Sequence, residues 1–209
     1  MGAKERRERE RQKLRGKILD AARKLFIQQG YDAVTMRKLA QRIQYSPTAI
    51  YAHFKDKESL MRELCSADFQ KLAEAFQEVA SVADPVDRLR GTGKAYIDFA
   101  ARYPNHYRLM FMTPRPPDLD EDQADKGNVQ KDAYAFLVAV VQDAMAKGAF
   151  KPEWTDAELV AQVLWAGMHG IAALHLAMGK DTWVSWRPIE ATADAMSDAF
   201  YRGILRQER

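Results

Sequence analysis

The run TMRKLAQRIQYSPTAIYAHFKDK, residues 35–57, carries the punctuation of two short helices joined by a tight turn. Met36, Leu39, Ala40 and Ile43 recur at i, i+3, i+4 and i+7, the apolar stripe of a helix. Thr35 suits the N-cap of that helix, and Val34 can close against Leu39 as a hydrophobic staple. Ser46-Pro47 then restarts the chain as an N-cap followed by an N1 proline, with Tyr45 placed to staple Ile50. Two helices about three residues apart, the second about two turns long, make the helix-turn-helix plan, so a DNA-reading element is expected.

The second helix has the chemistry for that task. Ala49, Ile50 and Phe54 are expected to turn inward, while Thr48, Tyr51 and Lys55 fall at i, i+3 and i+7 on the other side. A hydroxyl near the helix start reaches base edges, the small Ala52 admits close approach, and a tyrosine hydroxyl bonds a phosphate oxygen. His53 flanks the same face, and Asp56 caps a third helix whose first residue, Lys57, brings a cation and free N–H groups to the backbone. With Arg37 on the first helix and the cap residues, the expected DNA-facing set is Thr35, Arg37, Ser46, Pro47, Thr48, Tyr51, His53, Lys55 and Lys57. The competing reading is an ordinary helical hairpin with a solvated polar face.

Charge favours the first reading. Residues 1–65 hold 16 Lys and Arg against 8 Asp and Glu, net +8, and the remainder holds 16 against 21, net −5, which sums to the overall +3. A basic head on an acidic body is arranged for polyanion contact at one end. Residues 4–17, KERRERERQKLRGK, concentrate the charge. Such a run is either a solvated helical extension or an arm that adds phosphate contacts and salt dependence without sequence specificity.

Upstream, Ile18, Ala22, Leu25 and Phe26 form another stripe that Gly30 ends, completing a three-helix head. The stretch ILDAARKLFIQQGYDAVTMRKLAQRIQYSPTAIYAHFKDKESLMREL resembles the N-terminal DNA-binding domain of the tetracycline-repressor (TetR) family. The resemblance is carried, in order, by A-x-x-L-F, Gly30-Tyr31, Thr35, Leu39-Ala40, Ser46, I-Y-x-H-F and Lys57. It implies that Thr35, Ser46, Thr48, Tyr51, His53 and Lys57 touch DNA. One departure stands in the turn: the family often has Gly then Val where this chain has Gln44 and Tyr45, and a non-glycine at positive φ carries a conformational cost.

The 209 residues suffice for a small head and one larger domain, expected at 1–60 and 61–209. The fold class expected is all-α, with about nine helices. Asp84-Pro85 opens a helix to about Arg102, and Pro104 opens a short one through Met112. Residues 113–128 read as a proline-rich, then acidic loop. Helices follow from about Val129 to Lys147, from a Thr155-x-x-Glu158 capping box to Gly179, and from Pro188 to about Arg206.

The longest apolar run, residues 163–178, is shorter than the roughly 20 residues a bilayer span needs, and the N-terminus is charged rather than signal-like. The expectations are therefore no membrane, a cytoplasmic location, and a helix buried between its own core and a partner. The single Cys65 excludes an internal disulfide and fits a reducing compartment.

Ala191, Ala195, Ala199 and Gly203 give the last helix a small-residue strip, and the preceding helix offers Gly167 and Gly170. A homodimer interface is expected from Leu159, Val163, Gly167, Gly170, Leu174, Ala195, Ala199 and Gly203, as a four-helix bundle across a twofold axis. Tight packing within one chain is the alternative. A small-molecule effector would enter the aromatic middle of the chain, lined by Tyr96, Phe99, Tyr103, His106, Phe111, Phe136, Val140, Trp165 and His169, unless these are plain core. Trp165-x-x-x-His169-Gly170 and YPNHYRLMF at 103–111 resemble the TetR subgroup named for its Trp-His-Gly motif, which implies an effector-binding, dimerising domain.

No phosphate-cradling glycine loop, CxxC pair, HExxH or GxSxG occurs, and His169 and His175 are six apart, off a shared helix face. Catalysis, a metal and a cofactor are not expected. The sequence reads as a double-stranded-DNA-binding regulator, most simply a repressor released from a palindromic operator by an effector. The alternative is an apolar-ligand-binding helical protein with only non-specific nucleic-acid affinity.

Overall fold

The structure, a computed structural model, describes residues 2–114 and 125–206, apart from the side chain of Ala3. Most of the loop expected at 113–128 thus lies outside the described residues. The described helices are α1 (Ala3–Gln29), α2 (Met36–Ile43), α3 (Pro47–Tyr51), α4 (Lys57–Gln77), α5 (Pro85–Arg102), α6 (Pro104–Tyr107), α7 (Ala133–Ala146), α8 (Ala157–Met178) and α9 (Ile189–Ile204). A π-helical turn, Arg108–Met112, follows α6, and the one β feature among the described residues is an isolated bridge between Phe150 and Leu205. The all-α expectation holds.

Two compact units result: Met1–Asp68 with Asn105–Gln123, and Phe69–Pro104 with Ala124–Arg209. In the first, α1 packs on α2 and on the π turn, and α2 packs on α3. Ile18, Phe26, Leu39, Ile50 and Leu60 are fully buried at the centre, joined by Leu109 from the π turn. Ile18, Phe26, Leu39 and Ile50 are inward positions read from the helical period, and the burial of this cluster is the chief favourable term in holding the head together. A buried ion pair reinforces it: Arg23 of α1 donates through Nη2 (2.7 Å) and Nε (3.1 Å) to the two carboxylate oxygens of Asp68. His106 Nδ1 lies 2.8 Å from Asp68 Oδ1 on the other side.

In the second unit α5 packs against α7, α8 and α9, α7 against α8, and α8 against α9. The end of α9 is tied back by Lys151 N–H donating to the Ile204 carbonyl (2.8 Å) and Arg206 N–H to that of Ala149 (2.9 Å).

Four local readings are corrected. Helix α3 ends at Tyr51 after five residues rather than running about two turns, because the N–H groups of both His53 (2.9 Å) and Phe54 (3.0 Å) return to the Ile50 carbonyl, so Phe54 and Lys55 follow the helix instead of lying on it. Helix α7 starts at Ala133 rather than Val129, because the Asp132 side chain takes the N–H groups of Tyr134 and Ala135, while Asn128 holds Gln130 in a turn. The cap of α8 is Asp156, whose carboxylate accepts from Leu159 N–H (3.1 Å), so the box expected on Thr155 is replaced by its neighbour. The segment from Pro104 to Met112 is helical but changes pitch at Arg108, a change that residue spacing does not encode.

Candidate nucleic-acid interface

The two caps of the helix-turn-helix form as their residue types require. Thr35 Oγ1 accepts from Lys38 N–H at 3.2 Å, and Ser46 Oγ accepts from Ala49 N–H at 3.2 Å with Pro47 at N1. Between them Gln44 takes φ 61° and ψ 42°, the left-handed region. This lets Tyr45 N–H reach the Ala40 carbonyl (3.0 Å) and Gln44 N–H that of Gln41 (3.2 Å), a Schellman closure built without glycine.

The turn sets the faces of α3. Ile50 and Phe54 are buried, Ala49 is half-buried, and Thr48, Tyr51, Ala52 and Lys55 are exposed. Tyr51 is 54% exposed, the largest side chain of that outward row. Thr35, Arg37, Ser46 and Pro47 are exposed as well. Tyr45, expected as a staple, is 41% exposed and adds a second aromatic hydroxyl beside α3. Sequence spacing missed it because a tyrosine before a cap serves either side.

His53 and Lys57 are half-buried. The His53 carbonyl accepts from Arg15 Nη1 (3.4 Å), and its Nδ1 is enclosed without a hydrogen-bond partner among the described residues. Burial first, and then Arg11 and Arg15, hold the His53 imidazole below its ordinary pKa. Lys57 Nζ donates to the Tyr31 carbonyl (2.9 Å) and stands 4.0 Å above the Tyr31 ring, so it braces the link from α1 to α2. Asp56 accepts from Ser59 N–H (2.7 Å) while its own N–H donates to Ser59 Oγ (3.2 Å), a reciprocal cap on α4 that lowers the Asp56 pKa.

The expected effector-lining residues fall in two places. In the second unit, buried Tyr96 accepts at its hydroxyl from Trp165 Nε1 (3.1 Å) and lies 3.3 Å from His169 Nδ1, whose pKa burial lowers. Tyr134, which the sequence did not single out, packs its ring 5.9 Å from Trp165, bonds Glu158, and accepts from Gln162 Nε2 (3.2 Å). Phe136 and Val140 are buried, with Phe136 against Phe76 at 5.9 Å, and Phe99 packs on Tyr103 at 5.5 Å. His106 and Phe111 belong to the first unit, beside Asp68 and Tyr107 respectively.

Among the expected dimer residues, Leu159, Val163, Leu174, Ala195, Ala199 and Gly203 are exposed and Gly170 is half-buried. Gly167 instead faces α9, where an added Cβ would lie 2.6 Å from Met196 Cε. Helix α8 is long and apolar enough by composition to cross a membrane, but one flank packs on α5, α7 and α9.

Two family models match the chain: bacterial regulatory proteins of the tetR family over residues 18–64, and the tetracyclin repressor-like C-terminal domain over 89–200. The HTH-type transcriptional repressor Rv1474c of Mycobacterium tuberculosis is 44% identical over 59 residues, 28% of this chain and 32% of that protein. The HTH-type transcriptional activator FasR of Mycolicibacterium smegmatis is 31% identical over 102 residues, 48% of this chain and 47% of its own. The chain therefore spans about a third to about a half of the length of these relatives. A solved protein of unknown function from Rhodococcus sp. RHA1 superimposes with a TM-score of 0.72 at 27% identity, covering 92% of this chain and 96% of that one.

Proposed function

Because this chain belongs to the tetR family of bacterial regulatory proteins, we propose that it is a sequence-specific, DNA-binding transcriptional repressor, released from a palindromic operator by a small-molecule effector. Regulators of this family bind operator DNA and act as dimers. The observation that carries the reading is the exposed Thr48 and Tyr51 on a helix held by the Ser46 cap and the buried Ile50, with exposed Lys55 just beyond its end, within a head of net charge +8.

The roles divide by chemistry. Thr48, at the start of α3, reads base edges, and Tyr51, Lys55 and the exposed cap residues fix the register on phosphates. Two heads of a homodimer occupy half-sites about one helical turn apart. The dimer forms through the outer flank of α8, Leu159, Val163, Gly170 and Leu174, with Ala195, Ala199 and Gly203 of α9, where small residues admit close approach. An effector lodges by Tyr96, Trp165 and His169, whose hydroxyl and ring nitrogens orient polar groups among apolar walls. It releases the operator only as far as it binds the two dimer forms with different affinity. The workplace of such a protein is the cytoplasm, with its DNA.

The test is selection of bound fragments from sheared genomic DNA at near-physiological salt, with Tyr51→Ala as control. Enrichment of one palindrome, lost in the control and shifted in preference by Thr48→Ala, is the expected result. Uniform, salt-sensitive recovery would instead make this a helical ligand-binding protein with only non-specific nucleic-acid affinity. FasR, an activator by name, favours a second reading on sign alone, which a reporter placed behind the selected site decides.

A further inference from the structure

The charged N-terminal run forms a continuation of α1. Its 15 residues from Ala3 to Lys17 extend the helix by about 22 Å at 1.5 Å per residue. Residues 4–13 are all exposed, so packing does not hold them. Their helicity comes from strong helix formers propagating from the packed part of α1, and from Gly2 N–H donating to Glu5 Oε2 at 3.0 Å.

The charges are sorted by face. Lys4, Arg7, Arg11 and Arg15 recur at i, i+3, i+7 and i+11, one stripe within about 80° of the helix circumference. Ile18 and Ala22 continue that stripe into the core of the head. Glu5 and Glu10 lie on other rows, Glu5 bonded to Gly2 and Glu10 3.6 Å from Arg6, while Glu8 borders the stripe at i+4 from Lys4 and accepts from Gln12 Nε2 (2.8 Å). The basic stripe therefore points to the side on which α1 meets the rest of the head. It is also anchored there. Arg15 bonds the His53 carbonyl and Glu63 and lies 4.7 Å over the Phe54 ring, and Arg11 is close enough to depress the His53 imidazole. His53 comes two residues after Tyr51, the last residue of α3, so the stripe begins beside the candidate DNA face.

We infer that the helical extension is a second DNA-contact surface, in which Lys4, Arg7 and Arg11 line the phosphate backbone of duplex flanking the half-site. Charge complementarity names the occupant: a row of four cations bordered by the single carboxylate of Glu8, continuous with a basic head, fits a polyanionic rail. At 22 Å it covers about six base pairs at 3.4 Å each. Its contacts add affinity and salt sensitivity and read no sequence. The inference rests on the head facing DNA, but it requires no particular operator.

The test compares Lys4→Ala/Arg7→Ala/Arg11→Ala with Arg6→Ala/Arg9→Ala/Lys13→Ala, which removes the same charge from the opposite face. Alanine preserves the helix, which circular dichroism checks. Affinity is measured from 50 to 200 mM salt on a random-sequence duplex and on the selected site, each with long flanks. Three phosphate contacts, at about 0.9 each in the log–log slope, make the wild type lose about 40-fold more affinity over that range than the first variant. The second variant is expected to stay near the wild-type slope. Equal slopes for the two variants, or no change in either, overturn the inference while leaving the operator reading intact. A face-specific slope change without any selected site supports the extension and sinks the operator reading instead.

Discussion

Replacing Gln44 by glycine is expected to stabilise this protein. Gln44 is the one non-glycine at positive φ among the described residues. Its side chain is exposed at the end of α2, so removing it empties no core space. The left-handed region costs an L-residue roughly 1–2 kcal/mol, because Cβ crowds the following carbonyl. Glycine has no such penalty but loses about 0.5–1 kcal/mol more conformational entropy on folding. The difference leaves Gln44→Gly more stable by about 0.5–1 kcal/mol, a rise in Tm of about 1–4 °C for a chain of this size. The control is Gln44→Ala, which removes the same amide but keeps Cβ, and should shift stability by less than about 0.5 kcal/mol. Thermal unfolding at fixed protomer concentration reads both, since a dimer's Tm depends on concentration. If Gln44→Gly lowers Tm, the strain argument is refuted; if Gln44→Ala raises Tm equally, the gain comes from removing the amide and not from relieving strain. Because the Schellman bonds use backbone groups alone, the placement of α3 and the DNA affinity of the glycine variant should match wild type.

Other outcomes follow from the same geometry. Asp68→Ala leaves the buried Arg23 guanidinium with only the exposed Asp20 carboxylate 3.2 Å from its Nη1, which should cost about 3 kcal/mol in denaturant unfolding; a loss under about 1 kcal/mol would mean Asp20 or water compensates Arg23. Burial holds the His53 and His169 imidazoles below their ordinary value near 6.5, so the unfolded chain takes up protons first as pH falls. Stability should accordingly be present above that pH and be lost as pH falls through the lower folded values, and His53→Gln combined with His169→Gln should flatten this part of the profile. Leu159→Lys with Leu174→Lys places two charges on the outer flank of α8 and should yield monomers by sedimentation; an unchanged dimer would move the interface elsewhere.

The three-helix head was legible in residue order because its signals are local. A cap needs its N–H three residues away, a stripe needs only the helical period, and Thr35, Ser46, Leu39 and Ile50 sit where those rules put them. The positive φ of Gln44 was legible through the family resemblance, which implies a glycine at that point of the turn. Adjacent candidates were harder to separate. Thr155 and Asp156 both cap well by type, and it is Asp156 whose carboxylate takes the Leu159 N–H.

What residue spacing left open was which distant side chains meet. Aromatic residues between 96 and 169 have one composition and two fates. Tyr96, Trp165 and His169 converge through hydrogen bonds spanning 69 and 73 residues, whereas His106 turns to the Asp68 carboxylate paired with Arg23. Likewise Gly167 and Gly170 look alike in sequence, yet Gly167 faces Met196 while nothing lies within 4 Å of a Cβ added at Gly170. Local order alone thus determined the presence of the helices, the Thr35 and Ser46 caps and the outward Thr48 and Tyr51 of α3, since hydrogen bonds and periodicity act within a turn or two. The buried ion pair, the Tyr96 cluster and the exposed flank of α8 were decided by tertiary packing, where burial and contact depend on residues that the chain brings together only by folding.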